Sequence, residues 1–214
     1  MSIPRRIYYD LFSKVYDLVI RLHSRDREGS LRGFITDRTR VSERDRALDL
    51  CTGTGSVAVE LAKCVGKSGL VVGLDFSYGM LEKAKRKSVK LNLSQLCLVQ
   101  GNAGQLPFRD SSFRGVSCSH AFYELKGVER AMAVEEVERV LEKGGRFCLM
   151  EHARPEKFFS RLLFYIRLFL LGSKDVKQFL QNEESIFGKR FTNLKKEMSP
   201  AGQSKLISGE KRGG

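Results

Sequence analysis

A run of small residues, DLCTGTGSVAVELA at positions 49–62, constrains the fold of this chain more than any other feature. The apolar run 46–51 that leads into it has the length of a buried strand, and the pattern after Ser56 is helical. A glycine-rich turn between a strand and a helix lets the backbone approach a ligand closely at the helix N-terminus. The stretch therefore predicts a ligand-binding loop inside a β–α unit.

The same alternation of strand and helix recurs along the middle of the chain. Ser77 is the predicted N-cap of one of its helices. The predicted strands are 46–51, 69–75, 95–101, 113–120 and 146–152, and the predicted helices are 56–65, 77–91 and 129–145. Strands and helices that alternate at this spacing predict βαβ units and a mostly parallel sheet.

The two ends of the chain have different patterns. Apolar residues at steps of three or four predict an amphipathic helix over 4–22, followed by a helix over 26–38. Near the C-terminus an apolar helix is predicted over 158–171 and a further helix near 174–183. The strand-like runs 191–198 and 204–211 are joined by a connection too short for a crossover, so we expect an antiparallel hairpin.

The glycine loop is compatible with two classes of adenosine-containing ligand. Gly53, Gly55 and Ala58 fit the dinucleotide fingerprint, with Asp75 about twenty residues on to bind ribose hydroxyls. S-adenosylmethionine presents the same adenosine. Asp49, two residues before the loop, would repel a pyrophosphate but would hold the ammonium of a methionine moiety, directly or through water. The long segment before the first strand and the terminal hairpin also favour S-adenosylmethionine over a nicotinamide dinucleotide.

Four stretches resemble the class I S-adenosylmethionine-dependent methyltransferases, over roughly residues 45–152. They are LDLCTGTG, GLVVGLDFSYGMLEKAKRK, GNAGQLPFRDSSFRGV and EEVERVLEKGGRFCLMEH. The motif LPFRDSSF resembles the ubiquinone/menaquinone-biosynthesis C-methyltransferase group, as do YDLFSKVYDLV near the start and GQSKLISGEK near the end. Four departures stand out. Cys51 replaces a common glycine, Asn102 replaces the usual aspartate, and Arg114 replaces the acid common after the SF pair, where a surface charge change is expected. SHAFYEL (119–125) differs from the group's usual sequence beside the acceptor.

The predicted fold is therefore α/β, one domain over 1–214 with a Rossmann-like, mostly parallel seven-stranded sheet. Helices cover both faces, an antiparallel hairpin strand closes the C-terminus, and a helical cap precedes the sheet. The predicted divisions are a cap over 1–44, a cofactor-binding core over 45–152, and an apolar, basic helix with the hairpin over 153–214.

The resemblance implies S-adenosyl-L-methionine as cofactor and a set of residues around it. The candidate cofactor-binding residues are Asp49, Cys51, Gly53, Gly55, Asp75, Phe76, Met80, Asn102, Ala103, His120 and Tyr16. His120 and Glu124 are the candidate catalytic residues, because an aromatic carbon acceptor needs a base and an imidazole titrates near neutral pH. Glu151 and His152 are further candidate bases, Tyr9 could join Tyr16 in a lid, and His23 is expected at the surface.

The acceptor is expected to be small and lipophilic, with a quinone-precursor ring carbon as the first choice. A phospholipid headgroup amine is an alternative, and a non-catalytic accessory protein that binds S-adenosylmethionine is an alternative of another class. A nicotinamide-dependent dehydrogenase stays open until ligand binding is tested.

Charge and cysteine content bear on location and partners. The net charge is +13, and residues 153–214 carry thirteen Lys/Arg against six Asp/Glu around the apolar helix, a pattern typical of peripheral association with anionic membranes. The alternatives for this helix are a lid over an isoprenoid or fatty-acyl chain and an ordinary buried helix that covers the sheet. Nucleic acid is disfavoured, since Phe and Tyr fall on apolar periodic positions and are not interleaved with Lys/Arg. Five scattered cysteines without a CxxC or a Cys/His cluster predict reduced thiols in the cytoplasm and no metal site.

Overall fold

The computed structural model describes residues 29–125, 127–153, 176–200, 202 and 204–213. In chain order its elements are α1 Ser30–Thr39, β1 Arg46–Leu50, α2 Ser56–Val65, β2 Leu70–Asp75, α3 Tyr78–Lys90, β3 Leu96–Gln100, β4 Phe113–Ser119, a 3₁₀ turn Phe122–Glu124, α4 Gly127–Val140, β5 Leu141–His152, α5 Val176–Gly188, β6 Phe191–Met198 and β7 Ser204–Lys211. The helices predicted over 4–22 and 158–171 lie outside the described residues, as do Tyr9, Tyr16 and His23.

Seven strands of the described residues form one sheet in the order β3-β2-β1-β4-β5-β7-β6. The strands from β1 to β5 pair in parallel. β7 pairs antiparallel with β5 and with β6, so the terminal hairpin lies at one side of the sheet. The predicted fold class and the antiparallel hairpin are confirmed.

Alternate residues of the strands face two separate cores, because successive side chains of a strand point to opposite faces. Leu48 and Leu50 of β1 pack in one core with α4 and α5. Ala47, whose side chain points to the opposite face of β1, packs in the other core with α1 and α2. Helices therefore cover both faces, and the site must lie at an edge of the sheet where strands end.

Two predicted helix ends were wrong. The helix predicted to run to residue 145 ends at Val140, since Leu141 is fully buried and pairs with Phe113 as the first residue of β5. Gly144 follows in the left-handed region at φ 67°, within the irregular start of that strand. Strand pairing with a distant part of the chain thus ends the helix four residues before Gly144, where the local sequence pattern predicts its end.

The helix predicted near 174–183 continues to Gly188. Its last turn places Phe187 in the core, with its ring 5.0 Å from that of Phe147 and 6.4 Å from that of Phe191. Burial of this ring extends the helix and holds α5 against the end of the sheet that carries the hairpin.

Within the described residues, no helix combines the length and the apolar character needed to cross a bilayer. The five cysteines are all unbridged, with Cys118 and Cys148 buried. The described residues contain no group of three or more His, Cys, Asp or Glu side chains that could hold a metal ion.

We expect Phe187→Ala to lower the free energy of unfolding by about 3–5 kcal/mol, the usual cost of removing a buried phenyl ring. Met198→Ala on β6 serves as the control, since Met198 is 53% exposed and its loss should cost less than about 0.5 kcal/mol. Urea unfolding of both variants measures the difference. Equal stabilities would show that Phe187 does not anchor α5.

Candidate active site

The strand order places a crevice between β1 and β4. Chain connections diverge there, since β2 lies on one side of β1 and β4 on the other. In open α/β sheets, ligands bind beyond the carboxyl ends of the strands at such a point. The loop 51–55 after β1 and the segment 120–125 after β4 form the two walls of this crevice. The register brings them together, because Leu50 pairs with Cys118 at the ends of the two strands.

Left-handed backbone shapes the loop after β1. Cys51, Gly53 and Gly55 have φ values of 55°, 54° and 76°. A Cβ on Gly55 would lie 2.8 Å from the Cβ of Ala84, so this glycine lets the loop pack on α3. A Cβ on Gly53 would meet no described heavy atom within 4 Å, so this glycine borders open space. The loop therefore presents bare backbone to the crevice.

Asp75, at the end of β2, holds this loop. The backbone N–H of Gly53 donates to Oδ2 at 2.8 Å, and the N–H of Ser77 donates to Oδ1 at 2.9 Å. Each carboxylate oxygen has two lone pairs, so the group retains acceptor capacity for ligand hydroxyls. The structure thus brings the predicted ribose-binding acid and Gly53 together.

Asp49 lies behind the loop and is only 2% exposed. It accepts hydrogen bonds of 2.6 Å from the hydroxyls of Thr52 and Ser117, which join β1, the loop and β4. Burial raises the pKa of its carboxyl group to about 6, against the lowering effect of the two hydroxyls. The carboxylate supplies negative potential from beneath the loop and fixes its first turn.

The other predicted cofactor residues follow β2 and β3. Phe76 is half-buried, and Met80 is buried in the first turn of α3, where its N–H donates to Ser77 Oγ as the predicted N-cap requires. Asn102 is exposed, and its Oδ1 accepts from the N–H of Gly104 at 3.0 Å. Ala103 is buried. These residues follow the strands on the β2 side of the crevice.

His120 begins the opposite wall. It adopts left-handed backbone with φ 55°, while its N–H donates to the carbonyl of Met150 on β5 at 2.7 Å. Its Nδ1 lies 2.9 Å from Ser119 Oγ, and its Nε2 lies 2.9 Å from Ser204 Oγ. Both ring nitrogens are therefore hydrogen-bonded to serine hydroxyls, and the tautomer decides which atom donates.

Two carboxyl groups lie near this wall in different surroundings. Glu124 is half-buried in the 3₁₀ turn. Glu151 is buried at the end of β5 and accepts from the N–H of Tyr123 at 3.2 Å. Burial is the main cause that raises the pKa of Glu151 to about 8, and the charges of Glu124 and Glu183 add to it. Glu151 is thus protonated at neutral pH; the side chain of His152 lies outside what the structure describes.

Sequence reasoning missed a buried polar cluster behind the same wall. Tyr123 Oη donates to Glu183 Oε1 at 2.5 Å, and Lys205 Nζ donates to Glu183 Oε2 at 2.5 Å. Burial lowers the pKa of Lys205, an effect opposed by Glu183, and raises that of Tyr123. The cluster joins the segment after β4 to α5 and β7. The register of β7 against β5 and the packing of α5 bring these residues together, so no local pattern could reveal the cluster.

Solved structures place this architecture in the S-adenosylmethionine-dependent methyltransferase fold. A methyltransferase of Aquifex aeolicus matches with a TM-score of 0.66 and 20% identity, over 94% of this chain and 97% of that one. A chain of a Haloferax volcanii complex, between the Trm112 methyltransferase activator and a putative methyltransferase, matches with a TM-score of 0.71 and 18% identity, over 96% and 98%. At these identities the likeness concerns the fold alone.

Sequence comparison then gives the family. The model of the ubiE/COQ5 methyltransferase family matches residues 5–182, and the chain belongs to that family. A demethylmenaquinone methyltransferase of Oceanobacillus iheyensis is 38% identical over 74% of this chain and 66% of its own length. One of Geobacillus kaustophilus is 38% identical over 74% and 64%. The chain spans slightly less than two thirds of the length of these relatives. The predicted family resemblance is confirmed.

We expect Glu151→Gln to flatten the dependence of stability on pH. The pKa of Glu151 in the folded protein, about 8, lies above its ordinary value of 4.5. The stability that this proton provides is fully present below about pH 4.5 and is lost as the pH rises to about 8, by about 1.4 kcal/mol per pH unit. The amide keeps an acceptor for the Tyr123 N–H and does not ionise.

Urea unfolding at pH 6, 7 and 8 tests this difference. Between pH 6 and 8 the wild type should lose about 2 kcal/mol more than Glu151→Gln. Asp49 contributes mainly below this window and equally to both proteins. Parallel pH profiles would mean that Glu151 is already ionised at neutral pH.

Proposed function

We propose that this chain is an S-adenosyl-L-methionine-dependent methyltransferase that acts on a small lipophilic acceptor, with a quinone-related ring carbon as the first choice. Membership of the ubiE/COQ5 family supports the reaction class. The observation that carries the cofactor proposal is the junction of Asp75 with Gly53, where an acceptor of ribose hydroxyls and a bare backbone border the same open space.

The residues around the crevice fit the cofactor. Gly53 leaves room that a Cβ would fill, and Asp75 retains lone pairs for ribose hydroxyls. Asp49 supplies a carboxylate beneath the loop, suited to the ammonium of the methionine moiety. Phe76, Met80, Asn102 and Ala103 would border the adenosine, and Cys51 and His120 the sulfonium. When bound, S-adenosylmethionine supplies an electrophilic methyl group on sulfur.

The chain itself must position the acceptor and move one proton. A phenol-type ring becomes a carbon nucleophile when its hydroxyl proton is removed, and His120 is the proposed base. Glu124, in the 3₁₀ turn that follows His120, is the second proposed catalytic residue. Burial keeps Glu151 protonated at neutral pH, so it acts as a neutral hydrogen-bond acceptor for the turn that carries Tyr123.

A groove of about 400 Å³ between α4 and α5 supports a lipophilic acceptor. It starts at Gly127, just after the segment 120–125 that forms one wall of the crevice. Phe179, Val134 and Ile186 give it an apolar lining, and Arg130 and Lys189 add positive charge. The named relatives are demethylmenaquinone methyltransferases, which agrees with an acceptor of this kind. Peripheral association with anionic membranes stays a prediction.

Calorimetric titration with S-adenosylmethionine, S-adenosylhomocysteine and NAD in parallel is the first test of this function. We expect both sulfur ligands to bind and NAD not to bind, because a buried carboxylate beneath the loop disfavours a pyrophosphate. Binding of NAD alone would overturn the proposal in favour of a dehydrogenase.

Methyl transfer from labelled S-adenosylmethionine to demethylmenaquinone chemically reduced to its hydroquinone, and to phosphatidylethanolamine vesicles, then tests the acceptor. Transfer to the quinone precursor alone is expected. Transfer to the amine would replace the first choice, and binding of S-adenosylmethionine without transfer to any lipid extract would indicate a non-catalytic accessory protein.

Gly53→Ala should weaken S-adenosylmethionine binding tenfold or more, since the added methyl group enters the space that the cofactor would occupy. The matched control is Gly144→Ala, at the opposite edge of the sheet. Gly144 also has left-handed backbone, and its added Cβ would meet only the Arg114 guanidinium at 3.8 Å. Each variant should lose about 1–2 kcal/mol of stability from the left-handed conformation. Equal affinities of the two folded variants would remove Gly53 from the cofactor site.

A further inference from the structure

Both nitrogens of the proposed base are already occupied by hydroxyl groups. Ser119 Oγ lies 2.9 Å from Nδ1 of His120, and Ser204 Oγ lies 2.9 Å from Nε2. An imidazole held in this way takes a proton from an acceptor most directly through one of the two hydroxyls. The arrangement is that of a hydroxyl group next to a base, with the base oriented by a third group.

We propose that Ser119 is the hydroxyl that contacts the methyl acceptor and passes its proton to His120, and that Ser204 is a positioning residue for the imidazole. This inference rests on the proposed methyltransferase function and assigns the residues of its acceptor side.

The surroundings of the two serines determine which one faces the acceptor. Ser204 is completely buried, and its N–H donates to Ser199 Oγ at 3.1 Å inside the hairpin. Ser119 is half-buried at the carboxyl end of β4. It lies one residue beyond the pairing of Leu50 with Cys118, at the end of β4 that borders the crevice. Ser119 therefore keeps exposed surface at the crevice for contact with an acceptor, and Ser204 does not.

The backbone of His120 supports a fixed ring. A non-glycine residue in the left-handed region costs about 1 kcal/mol or more and persists where the surrounding structure holds it. Here the N–H of His120 bonds to Met150 on β5, and the ring bonds to β4 and β7. Three strands thus fix one imidazole, and the 3₁₀ turn follows directly after it.

The proton balance defines the tautomer that the relay requires. The acceptor hydroxyl gives its proton to Ser119 Oγ as Ser119 gives its own to Nδ1 of His120, so Nδ1 must be unprotonated at the start and Nε2–H must donate to Ser204 Oγ. The acceptor ring carbon forms the new bond to the methyl group, and the electron pair of the broken carbon–sulfur bond stays on sulfur. The methylated carbon then loses its proton to water, and the imidazolium returns its proton through Ser119 to the ring oxygen.

Among the side chains that the structure describes, the ionisable groups on neighbouring elements include Tyr123 and Glu124 on the 3₁₀ turn, Glu151 on β5, Lys205 on β7, and Cys51 and Cys118 at the ends of β1 and β4. The backbone of His152 also pairs with that of Ser204. Lys205 is paired with Glu183. Glu151 is protonated by burial at neutral pH. Glu124 lies on the turn that directly follows His120, and Glu124→Gln separates the effect of its carboxylate from that of the serines.

The first experiment is nitrogen-15 NMR of the imidazoles in the unliganded protein, which needs no activity. The chain has three histidines, so His23→Gln and His152→Gln assign the signals. We expect one tautomer of His120, protonated at Nε2, in the wild type and a mixture of both tautomers in Ser204→Ala. Ser208→Ala, another fully buried serine on β7, should leave the signal unchanged. A proton on Nδ1 in the wild type, or an unchanged signal in Ser204→Ala, would overturn the relay.

The second experiment separates binding from the proton transfer. Ser119→Ala should lower kcat by about 10²-fold or more, the range for general base catalysis, with the dissociation constant of S-adenosylmethionine unchanged. Ser204→Ala should lower kcat about tenfold and shift the acidic limb of its pH profile, and Ser204→Thr should restore both. Full kcat in Ser119→Ala would refute the relay while the proposed function stands. A wild type that binds no S-adenosylmethionine would refute the function, and the relay with it.

Discussion

The hydrogen bonds of Asp75 are the interaction on which the site depends. One carboxylate at the end of β2 accepts from the N–H of Gly53 in the glycine loop and from the N–H of Ser77 at the start of α3. A loop with three left-handed residues has little regular hydrogen bonding of its own, and buried backbone donors need partners. Because Asp75 supplies one, the loop remains open toward the crevice and is held on its other side by Asp49.

The two walls of the crevice differ in charge. The wall next to β2 contains carboxylates that accept from backbone and hydroxyl donors, and it suits a ligand that brings hydroxyl groups and a positive charge. The wall next to β5 contains the hydrogen-bonded imidazole of His120, a protonated Glu151 and the Glu183–Lys205 ion pair. Glu151 and the ion pair add little net charge there, which agrees with the proposed acceptor, an apolar ring with one ionisable hydroxyl.

The parts of the fold that depend on local pattern could be predicted from the sequence. The strand–loop–helix unit at 46–65, the cap at Ser77 and the terminal hairpin follow from spacing, turn chemistry and connection length. The end of α4 at Val140 was missed because the pairing of Leu141 with Phe113 outweighs the helical pattern that continues to the glycines. Local propensity is a weak guide where a buried strand pairing competes with it.

The residues of the candidate site also differ in how far the sequence reveals them. Gly53 and Asp75 belong to one β–α–β unit, so a single stretch of sequence reveals both. Ser119, His120 and Ser204 are brought together by three strands, and Tyr123, Glu183 and Lys205 by a turn, a helix and a strand. Sequence reasoning singled out His120 from its position after a strand, but its partners depend on the register of β7, and register cannot be read from a short hairpin sequence.

The direction of β7 explains why the proposed acceptor wall, the segment 120–125 with its hydrogen-bond partners, depends on the hairpin. A strand parallel to β5 would bring its last residues to the crevice, where they would lead into another connection. β7 is antiparallel, so its first residues lie there, and His152 pairs with Ser204 and Glu151 with Lys205. The short turn from Ser199 to Ser204 therefore sits beside the acceptor wall, tied by hydrogen bonds in both directions between those two serines. Changes in this turn can alter the imidazole and the buried ion pair without touching the cofactor loop, which lies on the far side of β4. The proposed acceptor side and the proposed cofactor loop are thus separate parts of the fold, and a change in the hairpin reaches the first without contacting the second.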